Sequence, residues 1–588
     1  MADDDGMRVG EGLLLISVCM GQVWVALTIS GRLEKLEVEG AHKLTGNIYK
    51  GVVERLAPAI DAAFVKLEEG VYGFLQAGDL APNSIGVETV SRLARIQIDS
   101  LRPGQSILVQ VVHEPRGQKC PRLTTRISLR GRFTGLIAQG ADHSSVSHTI
   151  TNVRVRERLL RIVEKYRPLD CGVHVFPEAA ERNENEIAND IRELVKIWHD
   201  IVFRYKSTSA PSLLYRSPSL IERSLFSMAH KVSEIIIDSP EHYERLLAVA
   251  MQHLPYVASR IKLYDSPTPL FDAYGVSKQV ETALSKVVKL PSGGYIVIET
   301  TEALTSVDVN TGHMLVGDPR EIALHVNMEA AEELARQLRI RNISGLIIVD
   351  FVDMPSSHSW VRLQERLQRE LSLDEVETRI MTLSPTGVVE LTRQRHGLSL
   401  EELLMEPCEH CGNGKVPSAL TIALKLWREL LLESSLRPAD VDAVVCAHPK
   451  VIAPLLQAGE EELERLESIA QRKIWLFASR SLRRDQFEIA FGEDALKPYL
   501  EAEPKEGEQF DLRAGDELYP SEAPKFALFK NKLVRLPEGI GVETPRISFK
   551  LERVGRWFAE ATWMPSVEPV AKNEIDALKL KTEGGEAR

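Results

Sequence analysis

Between Gly293 and Met354 the chain reads GGYIVIETTEALTSVDVNTGHML, a helical segment, and then RNISGLIIVDFVDM. No other stretch constrains the fold as strongly. Residues 295–300 and 304–309 are short, β-rich apolar runs, and residues 345–351 form a third that is apolar on both faces, as a buried parallel strand requires. From Pro319 to Arg341, Ile322, Val326, Ala330, Leu334 and Leu338 recur at helical spacing. Strand, helix and strand make a crossover unit, whose flanking strands run parallel and lie close in one sheet. Asp308 and Asp350 are therefore expected at the same sheet edge. Two carboxylates that meet there are costly unless a metal or a proton neutralises them.

The side chains on offer are Asp308, Asn310, Asp350 and Asp353, with no Cys or His among them. Such an all-oxygen set suits a hard cation, and magnesium fits best. A plainer reading has Asp308 and Asn310 capping the turn at Gly312 while Asp350 and Asp353 begin a loop. It leaves the two ionised groups at adjoining strand ends unexplained.

The phrases LPSGGYIVIETTEALTSVDVNTG, NMEAAEELARQLRIRNISGLIIVDFVDM, VELTRQR and CEHCGNG resemble the catalytic half of the bacterial ribonuclease E/G family, closest to its shorter G-type branch. The resemblance covers about the first five hundred residues and thins toward the C-terminus. It implies a multidomain chain of α/β and β parts. In order, these are a ribonuclease-H-like subdomain in two pieces (1–39 and 216–280), an inserted OB-fold RNA-binding barrel (40–126), and a 5′-sensor-like region (127–215). A DNase-I-like catalytic domain (281–400), a zinc link (401–416) and a small α/β oligomerisation domain (417–500) follow. Residues 501–588 carry no readable motif; they mix charges with β-branched residues, consistent with strands or a partner-binding segment.

Length and composition agree with several domains: 588 residues exceed what one core supports, and 44% hydrophobic with 27% charged residues describes an ordinary soluble protein. No segment reaches bilayer-spanning length, and the apolar run at residues 13–18 is too short for a signal peptide. Six scattered cysteines make no disulfide framework, so a cytoplasmic protein is expected. The net charge of −12 argues mildly against nucleic acid, although local basic patches and a metal ion overrule such an average.

Within the barrel, aromatics among small residues are more often core than stacking platform. The resemblance reverses that, because Phe64, Phe74 and Lys119 match positions the family uses to hold RNA. A further basic position is His113 here, mostly neutral at pH 7. In the sensor-like region the family's phosphate pocket centres on an Arg-Thr pair, where this chain has Phe176 and Pro177. Phenylalanine cannot pair with a phosphate and proline lacks an N–H. A second basic position is replaced near His148 and Thr149, and Glu375 and Glu377 are acidic where the family is basic. Arg393 and Arg395 are equally consistent with substrate contacts and with structural salt bridges.

Cys408 and Cys411 in CEHCGNG have knuckle spacing. Zinc takes four ligands and the chain has no second CxxC, so redox chemistry, chance or a ligand role for His410 stay open on spacing alone. The resemblance implies one zinc shared between two protomers, with Glu409 replacing the usual proline. The family builds tetramers through the following small domain, so a homodimer or homotetramer is expected.

The expected activity is magnesium-dependent endonucleolytic cleavage of single-stranded RNA, leaving 5′-phosphate and 3′-hydroxyl ends. Asp308 and Asp350 would hold the metal, Asn310 would orient the phosphate or a metal ligand, and Asp353 would hold a metal-bound water or support Asp350. The alternative is an RNA-binding scaffold or regulator that has lost efficient cutting.

Overall fold

The structure is a computed structural model describing residues 12–40, 43–81, 98–113, 120–138, 144–169, 171–312, 319–354, 356–383, 387–395, 397–408, 411, 414–513, 516–519, 524–537 and 546–564. The chain forms two compact units. The first comprises residues 1–18, 22–265 and 270–403; the second comprises 19–21, 266–269 and 404–588.

In the first unit the strand Gly12–Cys19 pairs in parallel with Glu234–Ile237, so residues far apart in sequence complete one five-stranded sheet. Gln22–Ile29 and Arg32–Glu39 continue it as a hairpin. Strands from both stretches thus share one sheet, with Leu14, Ile16, Val25, Ile235 and Ile237 in its core.

The strands Ile48–Ala57, Ala62–Glu68, Val71–Gln76, Arg122–Thr124 and Ser106–His113 pair in that order, and the first closes on the last to make a five-stranded barrel. Ser212–Tyr215 adds to its edge. Gly73 is required inside: a Cβ there would lie 2.5 Å from Leu123, whose side chain fills the barrel. That close approach places the neighbouring Tyr72 and Phe74 on the outer face.

Residues 128–207 form a four-stranded sheet covered by the helices Val153–Tyr166 and Glu184–Ser207. Buried Asp190 accepts hydrogen bonds from the backbone N–H groups of Arg132, Phe133 and Thr134 and from the Thr134 hydroxyl, fixing the turn into Thr134–Ile137.

The last sheet of this unit runs Val287–Lys289, Tyr295–Thr300, Leu304–Asn310, Gly345–Asp350, Val388–Arg393, Thr378–Leu383. The helices Pro319–Arg341 and Ser357–Ser372 cover one face, where Val307, Val309, Ile347, Val349 and Leu391 meet Val326, Ala330, Leu334, Leu363 and Leu367. The sequence pattern suggests one amphipathic helix over residues 276–288. Instead the helix Val276–Ala283 stops, and Val287–Lys289 pairs as an edge strand that buries Val288 against Ile296. The β-branched pair Val287–Val288 favours that outcome.

In the second unit Met405–Pro407 and Lys415–Pro417 form a hairpin, followed by the helix Ala419–Ser435. A three-stranded sheet pairs Ala443–Ala447 with Ile474–Ala478 in parallel and with Phe487–Phe491 antiparallel. Six strands, from Gln509–Arg513 to Ala559–Trp563, make another sheet, and Tyr519, Phe526, Leu533 and Phe558 share a core with Leu426, Val451 and Leu476. Among the described residues, no helix is long and apolar enough to cross a membrane.

Candidate active site and nucleic-acid interface

Leu304–Asn310 and Gly345–Asp350 are adjacent parallel strands, and their register sets Asp308 directly opposite Asp350. Along each strand the alternate residues Thr305, Val307 and Val309, and Ile347 and Val349, are buried against the helices. Asp308 and Asp350 are exposed on the opposite face. Residues in register on neighbouring strands project to the same side, so the two carboxylates stand together on the open face of the sheet. Val297 and Val388 flank them in register on the next strands.

Asn310 Nδ2 donates to Asp308 Oδ2 at 2.8 Å, which orients that carboxylate. Beyond Asp350 the backbone is held by Asn327, a fully buried residue of the helix Pro319–Arg341. Its Nδ2 donates to the Val352 carbonyl at 2.8 Å, and its Oδ1 accepts from the Val352 N–H at 3.0 Å. Val352 lies between Asp350 and Asp353, so Asn327 fixes the path that joins them. Asp353 is exposed and faces Gly387, whose φ is +87° and where an added Cβ would sit 3.5 Å from Asp353 Oδ1 and 3.1 Å from Trp360. Trp360 Nε1 in turn donates to the Met354 carbonyl at 2.8 Å.

Among the described residues no three His, Cys, Asp or Glu side chains converge as a metal cluster. The pair's donor chemistry fits magnesium, which usually keeps several waters and binds through one or two carboxylates together with substrate phosphates.

On the barrel, Phe64 and Phe74 are opposite each other and half-buried, their rings edge-to-face at 5.7 Å between centroids. Lys119 lies outside the described residues. In the hairpin of the second unit, the Cys408 N–H donates to the Gly414 carbonyl at 2.7 Å and the Gly414 N–H donates to Cys411 Sγ at 3.3 Å. Both thiols therefore belong to one tight turn. Glu409 and His410 lie outside the described residues.

In the sensor-like region Phe176 follows the strand Gly172–Val175, with the Arg130 guanidinium 4.3 Å from its ring centroid and the His174 ring edge-on at 5.4 Å. Glu375 pairs with Lys35 at 3.1 Å and with Lys231 at 3.4 Å. Burial alone would raise the Glu375 carboxyl, but Lys35 and Lys231 outweigh it and hold the group well below the usual carboxylate range. Arg182 lies 3.9 Å from Glu186. Arg393 is buried and bonded to Asp374, Asn342 and the Ile343 carbonyl, which assigns it to structure. Arg395 is exposed, 3.6 Å from Glu402.

Sequence reasoning missed Asn327 and the cations that meet Glu375. A buried amide on an otherwise apolar helix face is a signal for the first; the second joins Glu375 to residues 340 and 144 positions away and has none.

The chain thus presents paired aromatics on a barrel and paired carboxylates on a sheet face. Residues 128–396 match the model of the ribonuclease E/G family. Ribonuclease G of Salmonella typhimurium is 33% identical over 485 residues, covering 81% of this chain and 99% of that protein, and ribonuclease G of Escherichia coli K12 gives the same figures. Ribonuclease E of Synechocystis is 37% identical over 388 residues, covering 65% of this chain and 56% of that protein. The chain belongs to the ribonuclease E/G family and is an endoribonuclease of that type.

Proposed function

We propose that this endoribonuclease cleaves single-stranded RNA with magnesium held by Asp308 and Asp350, leaving 5′-phosphate and 3′-hydroxyl ends in RNA maturation and decay. The observation that carries the reading is the register of the two carboxylates on the exposed face of adjacent parallel strands. Both are exposed and side by side in register, an all-oxygen pair open to a hydrated cation. When bound, the metal supplies Lewis acidity toward the scissile phosphate and lowers the pKa of a water. The chain's own contributions are positional. Asn310 fixes Asp308, Asn327 fixes the backbone between Asp350 and Asp353, and Asp353 supports the ligands from the loop. Phe64, Phe74 and Lys119 hold the strand by stacking and charge.

Replacing Asp308 or Asp350 with Asn keeps volume and removes the charge. Either variant should lose cleavage by ~10²-fold or more, the scale of losing one electrostatic contributor to a transition state, while binding an unstructured RNA nearly as the parent does. A variant that cleaves at the parent rate overturns the site. The reading also includes a zinc shared by Cys408 and Cys411 of two protomers, assembly as a dimer or tetramer, and a cytoplasmic location. The scaffold alternative rests on Phe176 and Glu375, which bear on recognition of the RNA end and leave the carboxylate pair untouched.

A further inference from the structure

The barrel's registers place five side chains in one line across five strands. Arg55 pairs with Phe64, Phe64 with Phe74, Phe74 with Arg122, and Arg122 with His113. Neighbouring strands lie ~4.8 Å apart, so the line from Arg55 to Arg122 spans roughly 14 Å of the outer face. The aromatic pair sits at its centre with a guanidinium on each side.

Neither guanidinium is loose. The Arg55 head lies 4.8 Å from the Phe64 ring centroid while the residue stays exposed. Arg122 is gripped by Asp79 through Nε at 2.9 Å and Nη2 at 3.3 Å. A planar fork held on one edge keeps its remaining N–H donors directed outward, so less rotamer entropy is lost when a second anion meets them. An aromatic pair bracketed by pre-oriented guanidiniums matches a single-stranded polyanion: bases stack at the centre and backbone phosphates meet the forks. The plain alternative, a surface salt bridge between Arg122 and Asp79, accounts for the grip but not for the alignment with Phe74 and Phe64.

We infer that Arg55 and Arg122 are phosphate contacts of the RNA track, extending the Phe64–Phe74 platform on both sides. Arg122 stands in register beside His113, the end of the line, and supplies the fixed cation there. The inference rests on the reading that the barrel binds single-stranded RNA.

Binding of the full chain to a fluorescent, unstructured RNA, without divalent metal so that the RNA stays intact, is followed across a salt series. Each phosphate contact to a single strand contributes ~0.7 to the slope of log affinity against log salt. Arg55→Gln and Arg122→Gln should each lower the slope by about that amount, and Arg122→Lys should restore it. Phe64→Ala should weaken binding at every salt concentration without changing the slope. Parent slopes in both arginine variants, with Phe64→Ala still weakened, overturn this inference alone. Parent affinity in all of them overturns the barrel as the RNA site.

Discussion

Asn327 shows how much of a site depends on residues that touch nothing reactive. Its amide satisfies both backbone groups of Val352, and Asp350 and Asp353 hang from that backbone. Replacing it with Leu keeps the approximate volume and leaves a half-buried N–H and carbonyl without these partners, at up to about 1–3 kcal/mol each. We expect Asn327→Leu to lower the melting temperature and to raise the magnesium concentration needed for half-maximal cleavage, with RNA affinity unchanged; Asn327→Gln tests whether another amide rescues it. A lower melting temperature with the parent's magnesium requirement would make Asn327 a packing residue only. Asp308 and Asp350 were legible in the sequence because alternation and the crossover fix both register and face. Asn327 was not, since nothing in a helix names the loop its side chain will meet.

Among the elements, those with a strict period were readable: the crossover helix Pro319–Arg341 and the strand Tyr295–Thr300 fall where their apolar spacing puts them. The strand Phe487–Phe491 and the sheet from residue 509 onward were not. Their strands interleave charges, and one of those charges is wholly buried: Lys532 reaches Glu503 at 2.8 Å and the Arg556 carbonyl at 2.9 Å, with its ammonium 4.1 Å from the Phe477 ring centroid. A sequence pattern counts that lysine as solvent-facing. The sensor-like region carries a functional consequence of the same kind. Its strand Gly172–Val175 is followed by Phe176, already covered by Arg130, while Lys35 and Lys231 are both paired with Glu375 and Lys35 also with Glu37. A terminal phosphate brought to this ring would meet a guanidinium already stacked on Phe176 and lysines already paired with carboxylates. Matched RNAs with 5′-monophosphate and 5′-hydroxyl ends should be cut at nearly equal rates under single-turnover conditions. A tenfold preference, about 1.4 kcal/mol, would show that another cation of the region, such as Arg182, takes the phosphate.

At the scale of the whole molecule, the hairpin at Cys408 and Cys411 raises the question of assembly, because it brings two thiols to one turn and a structural zinc requires four ligands. Among the described residues no third His, Cys, Asp or Glu joins them. On the proposed reading, a second copy of the same hairpin would supply the missing pair with the symmetry of a twofold dimer, in which each protomer contributes the same patch. Metal binding and association are then one equilibrium: losing the ligands releases the ion and the partner together. The expected outcome for Cys408→Ser with Cys411→Ser is loss of one zinc per two chains by elemental analysis and a fall in mass by light scattering. Each chain should retain its far-ultraviolet circular dichroism, because the units have extensive cores of their own. Parent protein without zinc overturns the shared site. Zinc lost with the mass unchanged would place the assembly contacts elsewhere, with the small sheet domain that follows the hairpin as the surface to probe next.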